Sequence, residues 1–150
     1  MTFKIENASI QDLDKLCKIE MECFSREAFS KQQIASLLAN YNALSLVAKI
    51  NSETVGFIIG MIHIERNSLV GHILTIDVLP KYRRKGIAQR LLQEIEKIFA
   101  EKNVKACRLE VREDNVAALR LYERLGYKRI SKLKYYYGDA HGICLRKTLA

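Results

Sequence analysis

Ile76-Asp77-Val78-Leu79-Pro80-Lys81-Tyr82-Arg83-Arg84-Lys85-Gly86-Ile87-Ala88 marks the point where a strand-like run gives way to helical spacing. Residues 69–79 carry strand signals, whereas Ile87, Leu91, Leu92, Ile95, Ile98 and Phe99 recur as one face of a helix that begins at Gly86. The junction holds three adjacent cations, Arg83, Arg84 and Lys85. The first N–H groups of a helix lack carbonyl partners and bind anions; Gly86 lets the backbone approach closely, and Ala88 keeps the next turn small. The site suits a diphosphate. It lacks the GK[ST] of a nucleotide P-loop and the GxGxxG of a dinucleotide fold. Three cations in a row are most often a solvated turn. Here they sit at a strand-to-helix junction of a parallel crossover, where ligands of open sheets bind, and the functional reading is favoured.

Working outward, runs 44–50, 54–64 and 69–79 are joined by the polar turns Asn51-Ser52-Glu53 and Arg66-Asn67-Ser68, which predicts an antiparallel meander. The strand 106–112 follows the helix, so strand, helix and strand form a parallel crossover. Toward the amino terminus, Phe3 and Ile5 suggest a short strand. Ser9 caps a helix with Ile10, Leu13, Leu16, Cys17, Met21 and Phe24 on one face, and Ser30 with Gln33 reads as a capping box for a second. Toward the carboxyl terminus, Asp114 or Asn115 caps a helix facing inward with Ala118, Leu121, Tyr122 and Leu125 and ended by Gly126. Strands at 127–136 and 141–149, turning at Gly138, close the chain. The result is a mixed α/β fold in the order β-α-α-β-β-β-α-β-α-β-β.

At 150 residues, 49% hydrophobic, the chain is expected to form one domain, 1–150, rather than a disordered segment. Its net charge of +8 favours an anionic partner, either nucleic acid, a membrane face or a phosphorylated cofactor. Cys17, Cys23, Cys107 and Cys144 form no CxxC and have no ligand spacing with His63, His72 or His141, so no metal is expected and the thiols read as reduced. The amino terminus lacks the apolar stretch of a signal peptide, and the longest apolar run, 55–64, is half a membrane span. A soluble cytoplasmic protein with no membrane partner is expected.

The segment from Ile76 to Ala88 resembles the acetyl-CoA motif of the GNAT N-acetyltransferase superfamily, written [QR]xxGx[GA]. Leu109-Glu110-Val111-Arg112, then Asn115, Ala118, Leu121-Tyr122 and Leu125-Gly126-Tyr127, resemble its other segments in order. Gly71-His72, the LEVR strand and Tyr135-Tyr136-Tyr137-Gly138 with Asp139-Ala140 are most similar to the amino-terminal protein acetyltransferases. That group includes the ribosomal-protein alanine acetyltransferases. The resemblance implies a GNAT fold: a seven-stranded mixed sheet, flanked by about four helices, that splays between its fourth and fifth strands to take acetyl-CoA.

It also implies roles. Backbone groups of Ile76, Asp77 and Val78 would hold the pantetheine arm. Arg83 opens the motif, and amides from Arg84 through Lys85, Gly86, Ile87 and Ala88 to Gln89 would cradle the diphosphate, with Asn115 bonding the arm. Glu110 would be the base, directly or through water, His72 would face the amine from the other side, and Tyr122 would meet the CoA sulfur and protonate it. Phe24, Tyr136 and Tyr137 would line the entrance for a peptide end, with nascent chains at the ribosome among the partners and no specific nucleic acid. The structural alternatives are that Glu110 is paired with Arg112 or Arg108, that His72 is a hydrogen-bonded surface residue and that Tyr122 is core. Asp77 stands where a small apolar residue is usual, Ala88 replaces the commoner glycine, and Ser25-Arg26-Glu27 replaces a proline-containing loop. Acetylation of internal lysines or small amines is the alternative activity, and a nucleic-acid-binding module the rival from another class.

Overall fold

The computed structural model describes residues 2–149. Strands β1 (Lys4–Asn7), β2 (Ala43–Ile50), β3 (Glu53–Glu65), β4 (Ser68–Val78), β5 (Ala106–Arg112), β6 (Lys128–Leu133) and β7 (Gly142–Thr148) make one seven-stranded sheet in the order β1-β2-β3-β4-β5-β7-β6. Every neighbouring pair is antiparallel except β4 and β5, the pair joined through α3 (Ile87–Glu101). Helices α1 (Leu13–Phe24) and α2 (Lys31–Ala39) cover one face over Val47, Phe57 and Ile59. Helix α3, joined by residues of α4 (Val116–Arg124), closes the main core with Leu91, Leu92, Ile95 and Phe99.

The capping signals place the helix ends. Ser30 and Gln33 exchange both bonds of a capping box, at 3.1 and 2.8 Å, and the Asn115 side chain accepts from Ala118 N–H at 3.1 Å. Gly126 is left-handed at φ 101°, where α4 stops. Glycine has a different task at Gly71, in β4: a Cβ there would lie 2.5 Å from the Phe99 ring, so the absence of a side chain lets α3 seat that ring on the sheet.

Three expectations are corrected. A 3-10 turn, Ile10–Asp12, precedes α1 and shifts its phase, so that Leu16 is buried as expected but Ile10 and Met21 are exposed, and Ile19 and Glu20 are buried in their place. The strand expected over 127–136 is only Lys128–Leu133. Tyr127 leaves the sheet to bury its ring, with its hydroxyl donating to Glu96 at 2.7 Å. At the other end, Tyr135 adopts φ 51° and Gly138 φ 83°, so Tyr135, Tyr136 and Tyr137 lie on a turning connection rather than in alternation on a strand.

Candidate active site

Strands β4 and β5 pair over three residue pairs only, Val70 with Ala106, Gly71 with Cys107 and His72 with Arg108. Beyond them β4 runs on to Val78 and β5 to Arg112 without pairing, so the edge of β4 at Ile76, Asp77 and Val78 that faces β5 has no strand on it. An extended ligand can take up those backbone groups as a strand would. At the end of this seam lies the start of α3. Arg84 (φ 62°) and Gly86 (φ 83°) are both left-handed. Arg90 is the first N–H to return to a carbonyl, that of Gly86 at 3.0 Å, so the N–H groups of Ile87, Ala88 and Gln89 point ahead of the helix. A Cβ at Gly86 would meet nothing within 4 Å, so the glycine serves the turn's conformation and the space before it is open. Such a concavity of amides with the helix dipole behind it fits a diphosphate.

The cations divide. Arg83 folds back, its Nε donating to Val78 O at 2.9 Å, and ties the turn to the end of β4. Arg84 and Lys85 remain exposed beside the amides. The Asp77 side chain turns away from the seam toward α1, so its backbone alone faces the ligand path. Asn115 uses its side-chain oxygen as the α4 cap and keeps its NH2 to donate.

His72 is the last paired residue of β4, and Glu110 lies two residues past its partner on β5. His72 Nε2 and Glu110 Oε1 are 2.7 Å apart, while Arg108 donates to Glu110 Oε2 at 2.7 Å. Behind them Arg108 also donates to Glu65 at 2.7 Å, and His63 Nε2 lies 2.5 Å from the same carboxylate. Burial raises the Glu110 carboxyl, but hydrogen bonding and charge from His72, then Arg108, outweigh it and leave its pKa lowered. Glu110 is therefore an ionised acceptor that orients its neighbours. Tyr122 is buried against Tyr127, and burial pushes its phenol up, so it stays protonated.

Phe24 ends α1 partly exposed, and Tyr136 and Tyr137 meet edge to face with centroids 4.9 Å apart. Arg112 spans the two walls: its guanidinium donates to Glu27 at 2.8 Å and to Asp139 at 3.1 Å, and lies 5.6 Å from the Tyr137 ring. Of the two arginines weighed as partners of Glu110, Arg108 takes that place and Arg112 instead ties Glu27 to Asp139. The second layer, His63, Glu65 and Arg108, was not singled out from the sequence as site residues. Its signal was there in the i, i+2 spacing of polar groups, His63 with Glu65 on β3 and Arg108 with Glu110 on β5, the strands on either side of β4.

The family model described as "Acetyltransferase (GNAT) family" matches residues 13–127. The N-alpha-acetyltransferase of Sulfurisphaera tokodaii is 34% identical over 146 residues, covering 91% of this chain and 87% of the relative. Among solved structures, the ribosomal-protein-S18-alanine N-acetyltransferase of Escherichia coli has the same fold, with a TM-score of 0.89 at 24% identity over 99% of this chain and 95% of that one. The PaiA N-acetyltransferase of Thermoplasma acidophilum, in complex with coenzyme A, gives 0.85 at 25% identity over 99% of both.

Proposed function

The chain belongs to the GNAT acetyltransferase family, and from that premise we propose that it transfers the acetyl group of acetyl-CoA to the free α-amino group of protein N-termini. The observation that carries the reading is the His72–Glu110 pair, 2.7 Å apart, at the point where β4 and β5 part. A relative named for N-alpha acetylation over most of its length supports the acceptor class. The unit that acts is the domain 1–150, working in the cytoplasm, where its four free thiols stay reduced. Nascent chains at the ribosome are among its acceptors.

The residues present fit the donor. Backbone at Ile76, Asp77 and Val78 would hold the pantetheine arm, the amides of Arg84 to Gln89 would hold the diphosphate, and the NH2 of Asn115 would donate to the arm. Acetyl-CoA supplies an activated thioester. What remains for the protein is the acceptor's proton, since an α-amino group has a pKa of about 7.7–8.0 and is mostly protonated at neutral pH. With Glu110 ionised, His72 donates its Nε2 proton to it and keeps Nδ1 as the basic nitrogen. His72 takes the amine's proton, directly or through water, and Glu110 stabilises the imidazolium that forms. Tyr122, buried and protonated, gives its proton to the departing sulfur. The walls bridged by Arg112, with Phe24, Tyr136 and Tyr137, admit a chain end.

The test offers labelled acetyl-CoA with one lysine-containing peptide in two forms, amino terminus free and amino terminus blocked. Label on the free form alone is expected. Label retained on the blocked form overturns the N-terminal reading in favour of lysine acetylation.

A further inference from the structure

Glu20, Thr75 and Asp77 form a buried polar group that the transfer chemistry does not use. The β3–β4 register slips at Leu74, an extra residue opposite Ile59 and Gly60. Beyond that bulge Thr75 and Asp77 reach the same side and meet Glu20 of α1. Glu20 and Asp77 are each 1% exposed and Thr75 is 6% exposed. The Thr75 hydroxyl lies 2.8 Å from Glu20 Oε1 and 2.6 Å from Asp77 Oδ1.

A hydroxyl has one hydrogen to give. Between two ionised carboxylates it could satisfy one and would be left in a bare oxygen–oxygen contact with the other, a buried arrangement that proteins avoid. One carboxyl therefore carries a proton and donates it to Thr75 Oγ1. Phe29 N–H settles which one, because it donates to Glu20 Oε2 at 3.0 Å and so favours charge there. Asp77 Oδ2 is buried with no hydrogen-bond partner among the described residues, the surroundings of a neutral acid. The bonds then run one way: Asp77 O–H to Thr75, Thr75 O–H to Glu20, and Phe29 N–H to Glu20. Burial first, then the charge of Glu20, pushes the Asp77 carboxyl well above the usual range, in agreement with the count of hydrogens.

The two ends of this relay matter. One is the stretch of β4 whose open edge faces the cofactor path; the other is Phe29, at the end of the connection 24–29 that walls the acceptor entrance. We propose that Asp77, Thr75 and Glu20 are positioning residues that fasten the acceptor-side loop to the cofactor strand through one shared proton, and that losing this proton at alkaline pH loosens the hold on the acceptor peptide. The acceptor clause rests on the N-terminal acetyltransferase reading; the fastening does not.

The other groups acting on Asp77 are few. Arg83, from the turn before α3, favours its ionised form. Cys23 of α1, raised by burial and then by Asp77, stays a thiol, and Tyr122 of α4 stays a phenol. Removing the shared proton thus sets Asp77 against Glu20 as a second buried anion, and Arg83, engaged with Val78 O, is the one cation among the described residues to offset it.

The test compares wild type with Asp77→Asn, whose amide donates to Thr75 at every pH. Hydrogen exchange of residues 24–30 in the full chain is followed at neutral and alkaline pH, corrected for intrinsic exchange. Protection of this segment in the wild type is expected to fall about tenfold on the alkaline side, the worth of one lost buried hydrogen bond, while Asp77→Asn holds it constant. In parallel, the ratio of wild-type to Asp77→Asn KM for the peptide, in which titration of the amine cancels, rises by the same factor between neutral and alkaline pH. Should Asp77→Asn fail to fold, Glu20→Gln removes the opposing charge and is expected to hold protection constant too. Wild-type protection that does not change with pH, or a fall that persists in the variant, overturns the proposal. The expected exchange with no acetylation of any free N-terminus leaves the fastening in place and overturns the acceptor reading.

Discussion

Glu110→Gln tests the assignment of the proton pathway most directly. A carboxylate accepts on both oxygens, and here both are engaged, one by His72 and one by Arg108, each at 2.7 Å. Glutamine has one oxygen and one NH2 to divide between the same neighbours. Arg108 can only donate, so it claims the oxygen and the NH2 turns to His72 Nε2. That nitrogen must then accept, the ring proton moves to Nδ1, and the nitrogen meant to take the amine's proton is lost. The expected fall in kcat is the whole contribution of a positioned base, about 10²- to 10⁴-fold, or about 2.7–5.4 kcal/mol. Stability changes by only about 1 kcal/mol, because Arg108 keeps Glu65 at 2.7 Å. His72→Ala should cost a similar factor, and the double variant little more, since the two residues act as a unit. Steady-state kinetics on a peptide with a free amino terminus, with melting temperatures measured alongside, read these quantities. Losses that multiply in the double variant, or a rise in KM for acetyl-CoA as large as the fall in kcat, would refute the reasoning.

Gly86→Val should weaken acetyl-CoA binding by about 1–2 kcal/mol, the cost of a side chain in a left-handed position, and Gly86→Ala nearly as much, because a Cβ there meets nothing within 4 Å. Titration calorimetry decides this, and a strong difference between the two would point to a clash instead. Tyr122→Phe is expected to lower kcat roughly 10²-fold, the lower end of what a placed proton donor supplies, with KM for acetyl-CoA little changed; an unaltered kcat would return Tyr122 to the core. Glu65 titrates at about 2 rather than its ordinary 4.5, lowered chiefly by the His63 hydrogen bond against the effect of burial, with Arg108 adding to the lowering. Its contribution to stability is present above its ordinary pKa and is lost as pH falls toward 2. Acid unfolding followed by circular dichroism should therefore lose part of its slope between about pH 5 and 2 in Glu65→Gln, and an unchanged slope would contradict the assignment.

The order of strands and helices was legible because each element carries its own period and its own caps. Ser30 with Gln33, Asn115 and Gly126 announced helix ends, and the structure places them at helix ends. Where local signals competed with packing, the reading went astray. Tyr127 has strand propensity, yet its ring and its hydroxyl's partner Glu96 draw it out of the sheet. Ile10 matches the helical face by spacing alone, and a single 3-10 turn moves it to solvent. In the site, the family resemblance, rather than residue types alone, pointed to His72, Glu110 and Tyr122. Which arginine answers Glu110 was open, because Arg108 and Arg112 both lie two residues from it and only strand pairing separates them. Glu20 read as one more charge on an amphipathic helix, and nothing short of the fold brings it to Thr75, 55 positions away.

The short ladder between β4 and β5 has a consequence beyond chemistry. Four strands lie on one side of that seam and three on the other, and three residue pairs join them. A donor bound along the open edge, as proposed, would supply backbone pairings that the chain itself does not make there, and so become a removable part of the sheet. Binding that favours the native state depresses the unfolded fraction on which proteases act, by RT ln(1 + [L]/Kd). The enzyme's lifetime in the cell would then follow the supply of its own acetyl donor, with starvation shortening it before any regulator intervened.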